Sequence, residues 1–139
     1  HLGSSSYITN LDGEVSQHIE YVPFGEVFIE ERNNTWNTPY LFNAKEFDEE
    51  TGMYYYGARY YEPRISLWMS TDADEEEYPF YSTYCYATNN PIKFIDPNGK
   101  AVRPNGELAM SIILNTLPID ARQYITIDKK GYLDLNVMQ

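Results

Sequence analysis

The chain has 139 residues, a formal net charge of −11 and a sequence pI of about 4.4. That length suits about one domain. Because phosphate groups and anionic lipids are bound by clusters of Lys and Arg, the acidic balance argues against nucleic-acid binding and against docking on anionic membranes. The single cysteine, Cys85, excludes an internal disulfide framework. No apolar run is long enough for a membrane span, and no signal-peptide pattern is visible.

The apolar residues are unusually aromatic. The chain contains 14 Tyr, 6 Phe and 2 Trp, which make up 16% of all residues. Tyr favours strands and half-buried surfaces, where its ring packs and its hydroxyl keeps a hydrogen bond. We therefore expect a mainly β protein. Because the first residue is His1, we also expect a fragment or a processed piece of a longer protein.

Short strands separated by turn residues are predicted in the first third of the chain. Residues 6–9 and 15–22 flank Asp12-Gly13, a dipeptide typical of hairpin turns. Residues 23–25 (Pro-Phe-Gly) interrupt the pattern, and residues 26–29 resume a strand. The composition of residues 33–39 predicts a loop.

The middle of the chain begins with an aromatic-rich stretch. Residues 53–61 predict one strand with aromatics on both faces, as a doubly buried strand would show. Gly57 within it indicates a bulge or a close backbone approach. The acidic run at residues 72–77 predicts a short helix capped by Thr71 or Asp72. Residues 92–95 predict a short strand, and residues 96–99 a tight turn.

The character of the chain changes after Lys100. Residues 101–106 look like a linker, residues 107–117 predict a helix, and residues 124–127 predict a strand. Aromatic residues nearly vanish in this part. We therefore predict two segments, residues 1–100 and residues 101–139. The expected fold is mainly β with short helices, followed by a small α/β tail.

Several motifs in residues 1–99 carry a resemblance. They are residues 1–4 (HLGS), 21–25 (YVPFG), 39–46 (PYLFNAKE), 50–63 (ETGMYYYGARYYEP), 68–72 (WMSTD), 89–91 (NNP) and 96–99 (DPNG). In this order they resemble the Rhs repeat-associated core domain of Rhs/YD-repeat proteins. The resemblance implies β-hairpins that wind into a hollow shell, with this core curling inward to close one end. It also implies an intramolecular protease that cuts after the Asp-Pro-x-Gly motif and leaves a variable toxin inside the shell.

Carried over by position, the resemblance assigns the catalytic roles to Arg59, Asp72 and Asp96. The expected cut lies between Lys100 and Ala101, where the composition changes. The sequence departs from the family pattern at three places. They are Ser66-Leu67 in place of Gly-Arg, Ala44 in place of Gly, and Lys100 where Leu is frequent.

The resemblance also implies partners. They are the chain's own C-terminal effector region, the upstream YD-repeat shell, a secretion apparatus and an immunity protein, in a secreted or exported bacterial effector used in competition between bacteria. It implies no cofactor and no metal. Because hairpin modules expose strand edges that invite pairing, we expect that the isolated fragment can dimerise.

Elementary chemistry is compatible with the implied reaction. Peptide hydrolysis needs an activated water and a proton for the leaving amine, and two carboxylates provide both if one is protonated and the other ionised. Asp72 and Asp96 can form such a pair only if the fold brings them together. The guanidinium of Arg59 can stabilise negative charge in the transition state, and tethering supplies proximity.

Each of these residues also has a plainer reading. Without the resemblance, residues 96–99 are an ordinary turn, Asp72 is a helix cap or part of a solvated acidic run, and Arg59 is a stacking partner for the surrounding tyrosines. Cys85 reads as a small buried hydrophobe. His1 and His18 lack the partners of a metal site or a triad, and the acidic run lacks the spacing of a calcium loop.

Two other functions therefore stay open. The first is a non-catalytic, aromatic-rich β module that encloses cargo or binds a partner protein. The second makes residues 101–139 the toxin itself. That segment has only 39 residues and contains no His or Cys, which is short for a catalytic domain, so we expect it to be the first stretch of a longer effector or a docking tail.

Overall fold

The computed structural model describes residues 3–33, 37–77, 80–104, 125–127 and 133–135. These residues form eleven short strands, all paired antiparallel. Within the same ranges, the helical segments are three 3₁₀ turns, at Phe42–Ala44, Glu75–Glu77 and Ala87–Asn89. The prediction of a mainly β fold with short helices is confirmed. The helix predicted over residues 107–117 lies outside the described residues.

The first sheet contains β1 (Tyr7–Thr9), β2 (Val15–Tyr21) and β3 (Val27–Arg32), in that order. The predicted hairpin at Asp12-Gly13 joins β1 to β2. The side chain of Asn10 stabilises this turn, because its Oδ1 accepts hydrogen bonds from the backbone nitrogens of Asp12 (3.0 Å) and Glu14 (2.9 Å). The turn at residues 23–25 joins β2 to β3, as predicted.

The second sheet contains β4 (Glu46–Asp48), β5 (Met53–Tyr55), β6 (Tyr60–Glu62) and β7 (Leu67–Trp68), again in sequence order. The prediction of one strand over residues 53–61 is therefore wrong. A turn separates β5 from β6, and Gly57 lies in it at φ +98°, a backbone conformation that glycine adopts at little cost.

The burial of the tyrosines in β5 and β6 also differs from the prediction. Tyr54 and Tyr61 are buried, whereas Tyr55 and Tyr60 are exposed. Because side chains alternate along a strand, one face of this sheet packs on the core and the other faces solvent. The sheet is not buried on both faces.

Aromatic rings dominate the core. The buried hydrophobic residues are Ile19, Leu41, Phe42, Tyr54, Tyr56, Tyr61, Trp68, Tyr86 and Ala87. Tyr61 and Tyr86 stack with their ring centroids 4.1 Å apart, and Tyr56 meets Trp68 edge to face at 5.0 Å. Such pairs add to the stabilisation that burial of the rings provides.

Two tyrosine hydroxyls connect the sheets. Tyr54 donates a hydrogen bond to the carbonyl oxygen of Gly25 (3.0 Å), and Tyr61 donates one to that of Phe24 (2.7 Å). Both acceptors lie in the turn between β2 and β3. The first sheet is therefore held against the second by polar contacts as well as by packing.

The remaining strands are β8 (Phe94–Ile95), β9 (Arg103–Pro104), β10 (Ile125–Ile127) and β11 (Leu133–Leu135). β8 pairs with β9, and β10 pairs with β11. β10 agrees with the strand predicted over residues 124–127. The β8–β9 pairing makes residues 96–102 the loop of a hairpin. The segment boundary predicted at residue 100 falls inside this loop and stays a prediction.

Candidate functional site

Arg59 lies at the centre of the candidate site. It follows the turn between β5 and β6, and 4% of its surface is exposed. Its Nη2 atom lies 2.6 Å from Oδ2 of Asp72 and 3.5 Å from Oδ2 of Asp96. The fold therefore brings together the three residues that the sequence motifs singled out, although Asp72 and Asp96 are far apart along the chain.

The other contacts of Arg59 fix its guanidinium group. Nε donates to the carbonyl oxygen of Gly99 (2.6 Å), and Nη1 donates to that of Thr83 (2.9 Å). The guanidinium carbon lies 4.2 Å from the centroid of the Trp68 ring. Arginine suits such a place because its planar fork offers several donors in fixed directions and stacks on aromatic faces. Arg59 thus stacks on an aromatic ring, but the ring is that of Trp68 and not that of a neighbouring tyrosine, as expected from the sequence.

Asp96 is the most deeply buried acid of the site. Its side chain is 0% exposed, and its Oδ1 accepts hydrogen bonds from the backbone nitrogens of Asn98 (3.2 Å), Gly99 (2.7 Å) and Lys100 (3.2 Å). Burial raises the pKa of Asp96 to about 6, although these backbone donors and the charge of Arg59 act in the opposite direction. Asp96 can therefore be protonated near neutral pH.

Asp72 is the carboxylate that solvent can reach. Its side chain is 12% exposed and lies in the wall of a small open pocket, together with Glu75, Thr83 and Val102. Its backbone nitrogen donates to Oγ1 of Thr83 (2.6 Å), and its Oδ1 accepts a hydrogen bond from the backbone nitrogen of Asp74 (3.0 Å). This local turn orients the second oxygen, Oδ2, towards Arg59.

Lys100 and Ala101 lie in the same loop. Their backbone nitrogens lie 3.1 Å and 3.3 Å from Oδ1 of Asn98. Within this loop, Arg59 contacts the carbonyl oxygen of Gly99, one residue before the predicted scissile bond. The site thus holds the residue immediately before Lys100 by a hydrogen bond from Arg59.

Three residues of the site, Lys45, Tyr56 and Asn43, were not predicted from residue chemistry. Nζ of Lys45 donates to the carbonyl oxygen of Pro97 (2.6 Å) and lies 5.3 Å from the ring centroid of Tyr56. The Tyr56 hydroxyl in turn bonds Oδ1 of Asn43 (2.9 Å). The available signal was that Asn43 and Lys45 both belong to the motif at residues 39–46.

The weaker candidates gain no chemical role from the structure. Burial raises the pKa of the half-buried Cys85 thiol, which disfavours the reactive thiolate. His18 stacks on Tyr7, with ring centroids 4.4 Å apart, and its Nδ1 lies 2.9 Å from Oε2 of Glu31. His1 lies outside the described residues. Across the described ranges, no three His, Cys, Asp or Glu side chains are arranged to hold a metal ion.

A helix able to span a membrane is also absent from the part of the chain that the structure describes.

The chain is similar to known proteins over most of its length. The family model described as Teneurin YD-shell matches residues 1–94, so the match ends before Asp96. Salivary gland surface protein 1 of Aedes aegypti is 35% identical over 101 residues, which is 72% of this chain and 3% of that protein. Toxin subunit YenC1 of Yersinia entomophaga is 30% identical over 139 residues, which is 91% of this chain and 14% of that subunit.

Solved structures give the same result. The crystal structure of TcdB2-TccC3-Cdc42 superposes with a TM-score of 0.61 at 32% identity, over 71% of this chain and 5% of that chain. The chain thus spans a small fraction of the length of the proteins that it matches. Subunits of multi-component Tc toxins are among its relatives. The chain therefore belongs to the Teneurin YD-shell family of Rhs/YD-repeat proteins, as its motifs predicted.

Proposed function

We propose that the chain is the shell-closing core of an Rhs-type toxin and that it cleaves itself between Lys100 and Ala101. The observation that carries this proposal is the shared guanidinium of Arg59, which contacts both Asp72 and Asp96 and also the carbonyl oxygen of Gly99. Two carboxylates, a fixed cation and the chain to be cut are thus in one place.

The two carboxylates divide the reaction by their surroundings. Asp72 borders the open pocket and is the base that takes a proton from an attacking water. Asp96 is buried with a raised pKa and is the acid that gives a proton to the backbone nitrogen of Ala101. The water oxygen bonds to the carbonyl carbon of Lys100, and the bond from that carbon to the Ala101 nitrogen breaks.

Arg59 stabilises negative charge in this reaction. Its Nη2 forms an ion pair with the Asp72 carboxylate, and its Nε already donates a hydrogen bond to the carbonyl oxygen of Gly99, one residue before the scissile bond. A donor that is already fixed in position stabilises a developing oxyanion strongly, because no reorganisation is needed during the reaction. A single turnover suffices for a chain that cuts itself, so a modest rate is adequate.

The proposal extends to the rest of the parent protein and to its partners. We propose that the segment from residue 101 onward is the start of a variable effector, that the upstream YD-repeat shell encloses it, and that the parent protein is exported. A secretion apparatus, an immunity protein and a role in competition between bacteria belong to the same proposal. The support is the toxin subunits among the relatives.

Intact mass spectrometry tests the cleavage. The full chain and a longer parent that includes the upstream shell are expressed as wild type, Asp72→Asn, Asp96→Asn and Glu75→Gln. We expect the wild type and Glu75→Gln to yield residues 1–100 and a product that begins at Ala101, and both Asp variants to stay intact. Glu75 is the matched control because it lines the same pocket and does not contact Arg59 in the described contacts. An uncut parent, or cleavage unchanged in the Asp variants, overturns the proposal.

One observation favours a second function, a non-catalytic β module that encloses cargo. Oδ1 of Asp96 accepts hydrogen bonds from three backbone nitrogens, as a residue with a purely structural role in a turn would do. In that case the parent stays intact in every variant, and Asp96→Asn changes only the stability of the fold.

A further inference from the structure

Lys45 approaches the Asp96 turn from a separate part of the chain. It lies between the 3₁₀ turn Phe42–Ala44 and β4, and it is half-buried. Its Nζ donates to the carbonyl oxygen of Pro97 at 2.6 Å and lies 5.3 Å from the Tyr56 ring centroid. Burying an ammonium group is unfavourable, and burial lowers the pKa of Lys45 while the charge of Asp96 acts against that change. The hydrogen bond to the Pro97 carbonyl oxygen therefore offsets part of the hydration that this half-buried ammonium group loses.

The contact of Lys45 completes a pattern of donors along the turn. The carbonyl of Pro97 is bound by Lys45, the next carbonyl, of Asn98, by the backbone nitrogen of Ala58 (3.2 Å), and the next, of Gly99, by Arg59. Three consecutive carbonyls are therefore held from outside the turn. Only Lys45 binds from the segment that precedes β4, whereas the other two donors belong to the turn between β5 and β6.

We propose that Lys45 is a positioning residue for self-cleavage, which holds the Asp96 turn in its reactive geometry and supplies a second positive charge to Asp96. This inference rests on the proposed function. Misplacement of a reacting group by about 1 Å costs on the order of 100-fold in rate, so a clamp on the carbonyl next to Asp96 has a large effect on the reaction.

The charge of Lys45 gives the proposal a signature in pH. The charged groups around Asp96 are the cations Arg59 and Lys45 and the carboxylate of Asp72, which pairs with the same Nη2 atom of Arg59. The hydroxyls of Tyr56 and Tyr86 also interact with Asp96. Lys45 is in turn influenced by Arg103. A nearby cation favours the ionised carboxylate, so its removal raises the pKa of Asp96. Because Asp96 acts as the acid, the cleavage rate should fall at the pH at which Asp96 loses its proton. This alkaline limb of the pH–rate profile should then move to higher pH.

The test uses the full chain, or the longer parent if only the parent cleaves, with Lys45→Met, Lys45→Arg and the control Lys93→Met. Lys93 has the same charge, and among the described residues it forms hydrogen bonds through its backbone nitrogen only. The fraction cleaved is followed with time between pH 4.5 and 8.5. We expect Lys45→Met to cleave roughly 10- to 100-fold more slowly with its limb shifted to higher pH, and Lys93→Met to match the wild type.

If Lys45→Met does not fold, the variant Lys45→Arg and an NMR titration still test the proposal. Lys45→Arg keeps the charge, so its pH limb should stay at the wild-type position while its rate falls less. In the uncut Asp72→Asn background, a carbon-13 NMR titration of the Asp96 carboxyl should show its pKa raised by Lys45→Gln. The role of Lys45 is overturned if Lys45→Met cleaves at the wild-type rate with the same pH–rate profile, or if Lys45→Gln leaves the pKa of Asp96 unchanged. Either outcome leaves the proposed function standing. A wild-type parent that never cleaves overturns both.

Discussion

The Nε atom of Arg59 lies 2.6 Å from the carbonyl oxygen of Gly99, and the two residues are 40 positions apart. This hydrogen bond ties the turn between β5 and β6 to the Asp96 turn. Gly99 adopts φ +74°, and a methyl group on its Cα would lie 3.1 Å from the backbone nitrogen of Arg59 and 3.2 Å from Cβ of Tyr56. A side chain at this position is therefore disfavoured both by the positive φ and by the close approach of the two turns.

The first prediction follows from this contact. Gly99→Ala should destabilise the chain by more than about 2 kcal/mol, because it adds a steric conflict to the cost of the positive φ. Cleavage should slow at least about 10-fold, because the turn must shift. Gly13→Ala is the matched control, since Gly13 has φ +83° with nothing within 4 Å of the added methyl. Equal destabilisation of the two variants in urea unfolding would show that the close approach is unimportant.

The second prediction concerns the irreplaceable geometry of Arg59. Arg59→Lys keeps the charge, but an ammonium cannot bond Gly99 and Thr83 while contacting both carboxylates. Leaving buried charges without good partners typically costs about 3–5 kcal/mol, so we expect a loss of that order, together with loss of cleavage. Thermal and urea unfolding measure the stability. Arg32→Lys is the control, because Arg32 pairs with Glu30 and Glu49, whose side chains are 25% and 68% exposed; its cost should stay within about 1 kcal/mol. Similar costs for the two substitutions would contradict the central role of Arg59.

The third prediction is a dependence of stability on pH. Because the folded-state pKa of Asp96 is raised to about 6, the folded chain takes up this proton before the unfolded chain does. The stability linked to Asp96 is therefore fully present below about pH 4 and is lost as the pH rises towards 6. In the uncut Asp72→Asn background, Asp96→Asn removes this pH-dependent contribution. The free energy of unfolding of Asp96→Asn, relative to its parent, should therefore be lower at pH 4 than at pH 7 by up to about 3 kcal/mol.

Asp48 provides a control of opposite sign for that experiment. The hydrogen bond from the Thr51 hydroxyl lowers the pKa of Asp48, so its contribution is present at neutral pH and is lost as the pH falls. Asp48→Asn should therefore differ most from its parent near neutral pH. Urea unfolding from about pH 2 to pH 7 measures both differences, because the contribution of Asp48 is lost only as the pH falls below about 4. If the stability difference between Asp96→Asn and its parent does not change with pH, the pKa of Asp96 is not raised by burial and the prediction is wrong.

The fourth prediction concerns the contact between the sheets. Tyr54→Phe and Tyr61→Phe each remove a hydroxyl that donates to a carbonyl in the turn after β2, so each should cost about 1 kcal/mol. Tyr55→Phe and Tyr60→Phe alter the neighbouring exposed positions of the same strands and should cost nearly nothing. Urea unfolding monitored by tyrosine and tryptophan fluorescence compares the four. No difference between the buried and the exposed pairs would exclude the hydroxyl contacts as a stabilising link.

The sequence by itself determined the fold class and the family. The abundance of Tyr, the Asp12-Gly13 turn and the ordered motifs at residues 39–99 all report local preferences or a family pattern, and these are written directly in the residues. The motif positions also identified Arg59, Asp72 and Asp96 as candidates. No local rule, however, predicts that one guanidinium contacts both carboxylates.

The tertiary structure alone decided which groups meet. Residues 53–61 predict one strand because the aromatic residues on both sides of Gly57 suit a strand, yet Gly57 lies in a turn and Tyr55 and Tyr60 face solvent. The role of Lys45 could not be predicted from residue chemistry, because it depends on the carbonyl oxygen of Pro97, which the fold places 2.6 Å from Nζ of Lys45. Contacts between residues distant in sequence depend on how the sheets pack, and that packing is what raises the pKa of Asp96 and brings it to Arg59.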